Sequence, residues 1–402
     1  MTAASSSPSP SAAPSPSSPP SVEDFRADVV AFLADSIDRG VACPSYGAIL
    51  SPNMAEPAVA WQRYCADHGY AGIHWPVEYG GRGLSRAHSA VWYEECARVR
   101  ISPYLNLQGI ILASEAILRS GTDAQKRDLL PATLRADIVW CQLFSEPGSG
   151  SDLASLTTRA TRDGDVYVVN GQKVWSSNAE LAQRGILMAR TNPEEAGHRG
   201  ISFFCYDMSL PGTEVRPLRQ MTGDAEFSEV FFTDVRMPAD ALVGELDGGW
   251  AVAMAVLADE RGSFGSAGAI SLDQRLQPLI AELGDADPVR RDQIGRLLGR
   301  GWALGAMLGR SDGQATMAPL AKLARSELEF AVAGRDLDDL GAGGMLLTEP
   351  ASDDDPAAAA RHHEVVERFL YSPGMRIAGG SSEIQRSIIG ERILGLPREP
   401  RA

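Results

Sequence analysis

The sequence predicts an α+β chain built in three successive parts, helical, then β, then helical, and three observations carry that expectation. Apolar residues recur at helical spacing from about Val22 to Ala136, short strand-like runs with turn signals replace them from about Asp137, and helical spacing returns after Trp250. Such an order argues against a doubly wound sheet, in which strand and helix alternate throughout. At 402 residues the chain is also too long for one ordinary core. The expected divisions are an arm over 1–21, a helical domain over 22–137, a β domain over 138–248 and a second helical domain over 249–402.

Each part has its own local signals. Residues 1–21 hold nine Ser and six Pro and almost no apolar side chain, so they cannot offset the entropy of ordering and are expected to be disordered. Phe25, Val29, Phe32 and Leu33 share one face of a first helix, and Thr122 with Gln125 forms a capping box for a later one. In the β part, Asn170-Gly171 between Val166–Val169 and Gln172–Trp175 reads as a hairpin turn, with further strands at Ile201–Tyr206 and Phe227–Phe232. Trp250–Ile270 reads as a mostly buried helix, and the acidic, Ala-rich stretch Glu349–Arg361 as an exposed loop. Ser382 and Gln385 form a second capping box for a last helix that stops at Gly395, ahead of Pro397.

Composition excludes several functions. The 37 basic against 52 acidic residues give a net charge of -15, the wrong sign for binding nucleic acid or an anionic membrane surface. Five scattered cysteines indicate neither a disulfide framework nor a zinc site, and six histidines show no metal spacing, so no metal is expected. No run approaches the ~18 apolar residues of a membrane span and no leader pattern is present, so a cytoplasmic protein is expected. Gly148-Ser-Gly150 is followed by Leu153 where a third glycine would stand, which argues against a dinucleotide on a Rossmann unit. No G-x-S-x-G elbow is present either.

Four stretches could carry chemistry, and each has a plain reading beside a functional one. Asp259-Glu260-Arg261 interrupts an apolar helix, either as an ion pair reaching the rim or as a general base tuned by its surroundings. Phe144–Asp152 is either a simple Gly/Ser turn or a loop whose N–H and hydroxyl groups meet the edge of a flat, oxygen-rich ligand. Within Lys173–Asn178, Trp175 is either sheet core or the cover of a planar heterocycle. Ala378–Arg386 is either a turn or a donor of N–H groups to an oxyanion.

Taken in order, S-E-P-G-S-G-S-D from Ser145, K-V-W-S-S-N from Lys173, D-E-R from Asp259 and G-G-S-S-E-I-Q-R from Gly379 resemble the acyl-CoA dehydrogenase family, from about Val22 to Pro400. The resemblance implies a helical domain, a β-barrel-like domain and a C-terminal four-helix bundle, with FAD between the last two. It implies that Gln142, Phe144, Ser145, Gly150, Ser151, Trp175, Ser177, Ser381, Ser382 and Glu383 meet FAD. Ser151, Arg261 and Gly380 would serve the substrate, an acyl-CoA or carrier-protein thioester. The implied reaction removes a proton from Cα and a hydride from Cβ, and the thioester oxygen accepts from the Gly379 N–H. Many members carry their base where Gly379 stands; a minority carry it before an arginine on the helix after the β domain, a pattern that Glu260-Arg261 matches.

Implied partners are an electron-transfer flavoprotein and either a homo-oligomer or a heterotetramer with a homologous chain. The family's R-x-x-F-G segment has no match between Ser271 and Leu304, and Asp338-Asp-Leu-Gly-Ala342 departs from the usual glutamine and paired glycines. These departures keep a non-catalytic or FAD-sharing subunit open as an alternative, beside a same-fold oxidase.

Overall fold

The computed structural model describes residues 19–45, 54–263, 265–310, 317–347 and 356–398. Most of the arm expected over 1–21 therefore lies outside the described residues. Its end is anchored: the Pro20 carbonyl lies 3.0 Å from His88 Nε2, and Ser21 caps helix α1 (Val22–Asp38) by accepting from the Asp24 N–H. This helix buries Phe25, Val29 and Leu33 against α2 (Ala55–Asp67) and α3 (Arg86–Arg98). Phe32 stacks on Tyr70 at 4.1 Å, and Tyr70 on Trp92 at 5.2 Å, which gives the domain an aromatic centre. A π-helical turn, Gln108–Ala113, leads into α4 (Ser114–Ser120), and α5 (Asp123–Leu134) follows. The Thr122–Gln125 capping box is formed in both directions, at 3.0 and 3.2 Å.

Buried Asn106 joins this domain to the next. Its side-chain amide donates to the Ile138 carbonyl and accepts from the Trp140 N–H, so the first strand cannot shift relative to the helices. The eight strands are β1 (Trp140–Leu143), β2 (Arg159–Asp163), β3 (Val166–Ser177), β4 (Arg184–Arg190), β5 (Ile201–Asp207), β6 (Thr213–Leu218), β7 (Phe227–Pro238) and β8 (Leu242–Val243). They run in the order β6-β7-β3-β2-β4-β5-β8, and β1 pairs in parallel with β4. One face buries Val169, Leu187, Phe204, Tyr206 and Phe232 as a second core.

The hairpin expected at Asn170-Gly171 is not there. β3 runs straight through these residues with a bulge between Val169 and Gly171, and the tight turn is Gly164-Asp165, where Asp163 pairs with Val166. Gly164 adopts φ +63°, as the first residue of this two-residue Gly-Asp turn requires. At Gly171 a Cβ would stand 2.5 Å from Thr158 Oγ1 and 2.7 Å from its Cα, so the glycine serves the close approach of two strands.

The C-terminal part comprises α6 (Gly249–Ser263), α7 (Gly265–Glu282), α8 (Pro288–Arg310), α9 (Met317–Asp339), α10 (Pro356–Ile377) and α11 (Ser382–Ile388). The helices α7 to α10 form the bundle, with Leu272, Leu276, Ile294, Leu298, Leu328 and Val332 in its core. α6 lies instead on β5, α4 and the π-helical turn; at Gly249 a Cβ would stand 2.3 Å from the Ser202 carbonyl carbon, which sets how closely this helix approaches the sheet.

Two local expectations need correction. Residues 356–361 of the stretch expected as a loop belong to α10, and the preceding 349–355 lie outside the described residues. The cap of the last helix is Ser381, whose Oγ accepts from the Ile384 N–H, while Ser382 is the first helical residue and gives its hydroxyl to Glu327 of α9. The helix ends as expected, with Gly395 at φ +67° after a π-helical turn, Ile389–Ile393.

Gly171→Ala is expected to lower the unfolding free energy by about 1–3 kcal/mol, the usual cost of forced overpacking. A urea midpoint within experimental error of the parent would contradict the close approach assigned to this bulge.

Candidate active site

Two segments of the β domain are held together from beneath. The loop after β1 turns back on itself, with Glu146 and Ser149 exchanging backbone hydrogen bonds at 3.1 and 3.0 Å, and Ser149 Oγ donating to the Asp152 carbonyl. Glu146 is buried and accepts from the Thr157 N–H and Oγ1, the Thr158 N–H and the Lys173 ammonium, at 2.7 to 2.9 Å. Lys173 has no exposed surface and also donates to the Phe144 carbonyl at 2.9 Å. Beside it the Val174 N–H donates to the Ser145 carbonyl at 2.9 Å.

Burial alone would push the Glu146 carboxyl up; Lys173 and the Thr157–Thr158 donors outweigh it and hold the group at about 2. Burial pushes the Lys173 ammonium down to about 8, against the pull of Glu146, so the pair is charged at neutral pH.

What the clamp presents upward is polar and open. Gly148, Gly150 and Ser151 are exposed, and at neither glycine is there any atom within 4 Å of a Cβ position or a positive φ. Nothing within the described residues requires glycine there, whereas a ligand edge approaching the backbone would. Gln142 and Ser145 are half-buried, but the Phe144 ring is core, edge-on to Phe203 at 5.9 Å, leaving only its backbone for a ligand.

The second segment is the end of β3. A register shift between Lys173 and Ser176 turns Trp175 outward at φ +60°, a strained value for a bulky residue, and leaves its indole 55% exposed beside the edge of Phe227. Ser176 is fully buried with no partner for its Oγ among the described residues, and Ser177 is half-buried opposite Phe227. A bulge that exposes an apolar ring and strains the backbone weakens the fold locally, which is the mark of a surface shaped for a ligand. This disposition fits the face and rim of a flavin.

The C-terminal part approaches from α10. Glu226, whose carbonyl accepts from the Asn178 N–H, is half-buried among Asp224, Glu367 and Tyr371; burial, then Asp224 and Glu367, raise its carboxyl to about 7. Beyond α10, Gly379 and Gly380 adopt φ +66° and +94° and lead into Ser381. Ser382 is buried on Glu327 and Glu383 is exposed. Glu260 and Arg261 lie in the last turn of α6, past buried Ala253 and Val256; their side chains, with that of Asp259, lie outside the described residues. The structure thus joins the Ser145–Ser151 loop to the end of β3 that carries Trp175 and Ser177, through the contacts of Lys173 and Val174.

Lys173, Glu146 and Glu226 were not singled out from sequence as site-forming. The available signal for the first was a lysine inside an apolar strand, in a chain with only three.

Family models match all three parts of the chain: the acyl-CoA dehydrogenase N-terminal domain over residues 20–137, the middle domain over 141–235 and the C-terminal domain over 289–394. The acyl-CoA dehydrogenase IpdE1 of Mycobacterium tuberculosis (strain ATCC 25618 / H37Rv) is 38% identical over 390 residues, 94% of this chain and 98% of that protein. The chain belongs to the acyl-CoA dehydrogenase family. It is accordingly an oxidoreductase acting on acyl-CoA, in a family whose members depend on FAD. Among solved structures, the Tcur3481-Tcur3483 steroid ACAD superposes with a TM-score of 0.78 at 27% identity, covering 95% of this chain and 99% of that one. The ChsE4-ChsE5 complex from Mycobacterium tuberculosis gives 0.76 at 28%, with the same coverage. Among the described residues no helix is long and apolar enough to cross a membrane, and no cluster of metal-binding side chains occurs.

Two outcomes follow from the geometry of this acyl-CoA dehydrogenase. Lys173→Met leaves Glu146 buried without its cation and is expected to cost about 3–5 kcal/mol in urea unfolding, with Glu146→Leu/Lys173→Met recovering part of it; a single-variant loss under about 1 kcal/mol would contradict the clamp. Because the folded-state carboxyl of Glu226 lies above its unfolded value, stability falls as pH rises from about 4.5 through about 7. Glu226→Gln should therefore raise Tm at pH 8 and change it little at pH 4; an equal effect at both pH values would contradict this.

Proposed function

We propose that this chain is a catalytically competent, FAD-dependent dehydrogenase that forms a trans-2-enoyl thioester, with Glu260 as the base. The observation that carries the flavin reading is the outward Trp175 on a strained bulge, clamped beside an open Gly/Ser loop. Trp175 would cover one face of the isoalloxazine. Gln142, Ser145, Ser151, Ser177 and Ser381, with the backbone at Phe144 and Gly150, would bond FAD. Ser382 and Glu383 complete the proposed stretch, Ser382 by fixing it to α9. When bound, FAD supplies the acceptor for the hydride that leaves Cβ.

The chain's own work is proton removal and charge stabilisation. An α-proton is too weakly acidic for a carboxylate unless the developing enolate oxygen meets preorganised donors. The Gly379 N–H serves as one such donor, and Glu260 takes the proton, with Arg261, Gly380 and Ser151 proposed to lie near the thioester. Gly379 has no side chain to accept a proton, so the base must come from another element. Electrons would pass on to an electron-transfer flavoprotein.

A second reading, a subunit that shares FAD with a homologous chain, is favoured by one observation. Asp339, within the altered Asp338–Ala342 stretch, pairs with Arg290 at 2.9 Å and Arg335 at 2.8 Å, so this stretch is engaged in ion pairs within its own bundle. Two structures similar to this chain are of paired chains, ChsE4-ChsE5 and Tcur3481-Tcur3483. The latter is titled a steroid ACAD, so steroid-derived thioesters belong beside linear and branched ones in a substrate panel.

The purified protein, alone or with a homologous partner, is expected to show an oxidised-flavin spectrum that a panel thioester bleaches anaerobically, without consuming oxygen in air. Glu260→Gln should slow that bleaching at least ~10²-fold at unchanged flavin content. A near-parental rate would move the base elsewhere, and absence of flavin under all these conditions would remove the enzyme reading.

A further inference from the structure

An oxyanion donor works only if it is fixed before charge develops. Glycine is the residue least able to fix itself. The amide assigned to the thioester oxygen belongs to Gly379, which is followed by a second glycine in the left-handed region. Something outside the turn must therefore hold it.

On the near side α10 does so, because the Ala378 N–H still donates to the Gly374 carbonyl at 2.8 Å. On the far side one side chain spans the turn. Gln385 is fully buried, and its Nε2 lies 3.1 Å from the Gly379 carbonyl and 3.3 Å from the Gly380 carbonyl. Across a planar trans peptide the N–H points opposite to the C=O. Drawing both carbonyls towards Gln385 therefore turns the Gly380 and Ser381 N–H groups the other way. None of the Gly379, Gly380 and Ser381 N–H groups donates to an acceptor among the described residues.

The approach is tight. A Cβ on Gly380 would stand 2.5 Å from Gln385 Nε2, whereas a Cβ on Gly379 would meet nothing within 4 Å. The second glycine thus answers to Gln385 and the first faces open space. Gln385 Oε1 is itself buried without a partner among the described residues, so the amide is retained here at a cost in stability that a packed apolar side chain would avoid.

We propose that Gln385 is a positioning residue: it fixes the Gly379–Gly380 turn so that the Gly379 N–H is aimed before the thioester arrives, an inference that rests on the function proposed above. Gln385 touches no reacting atom. The Ala378–Gly379 peptide, which carries this N–H, thus lies between a peptide held by α10 and one held by Gln385, so its rotation is restricted from both sides. Loss of the side-chain amide should lower the rate of the chemical step and leave ground-state binding nearly unchanged.

The test compares Gln385→Met and Gly380→Ala, singly and together, in the flavin-loaded protein, using whichever panel acyl-CoA bleaches the parent fastest. Gln385→Met is expected to keep its flavin-to-protein ratio and to bind that thioester within about threefold, while the limiting bleaching rate falls about 10- to 100-fold; Gly380→Ala, at a residue proposed to lie near the thioester, is read on its limiting rate, which is expected to fall in the same range. The double variant should lose no more than the worse single one, because both changes undo the same constraint. The carbonyl stretch of the bound, isotope-labelled enoyl product should move towards its value in free solution, a readout independent of turnover. Bleaching within threefold of the parent in both variants, or a loss that follows flavin content or thioester affinity, would overturn the proposal. If Gln385→Met does not fold, Gly380→Ala decides by its limiting bleaching rate and the carbonyl stretch of the bound product. If no panel thioester bleaches the parent's flavin, the proposed function itself fails and takes this inference with it; failure of the variants alone leaves that function standing.

Discussion

The buried ion pair between Lys173 and Glu146 is the constraint on which the rest of the site depends. It joins a loop that could otherwise move to a strand that could otherwise continue in regular register. Two charges in the interior are costly to desolvate, and the cost is met here by closely placed partners: Glu146 receives four donors and Lys173 reaches a carbonyl as well as the carboxylate. The consequence lies on the far side of the clamp, where the glycines of the loop and the strained Trp175 are held open to solvent. An apolar pair of similar volume would fill the space, yet it could not grip the Phe144 carbonyl and the Thr157–Thr158 amides together.

The catalytic half of the site follows the same logic on different elements. α6 is set against the sheet by the close approach at Gly249, and its last turn carries Glu260-Arg261. The turn after α10 carries glycine at 379, and on the function proposed above proton removal and oxyanion stabilisation would be divided between separate helices. Charge in the bundle is committed elsewhere, with Arg290, Arg335 and Arg368 engaging Glu282, Asp336 and Asp339.

Signals contained within a few residues were legible from sequence, and those decided by distant partners were not. Thr122 and Gln125 needed only each other, and Gly395 needed only the end of its helix. Asn170-Gly171 resembled a hairpin because the dipeptide is right, but Thr158, just ahead of β2, approaches Gly171 and Gly164-Asp165 makes the turn instead. Ser382 looked like the cap until Glu327, fifty-five residues earlier, took its hydroxyl and left the role to Ser381. The order of motifs was enough to mark the family, since their spacing is a property of the chain. The clamp beneath them and the half-buried Glu226 depend on packing between elements, which no local pattern encodes, whereas Gln385 lies only five and six residues from the carbonyls it holds and resembled half of a capping box with Ser382 instead.

Hydrogen exchange of the backbone amides, measured on the protein stripped of flavin and after FAD is restored, tests most directly whether the clamped surface is the cofactor wall. The account predicts strong protection on FAD binding in 142–151 and 173–178, with little change in the α1–α3 aromatic core. Protection confined to other segments, with both of these exchanging at the same rate in the two states, would contradict it.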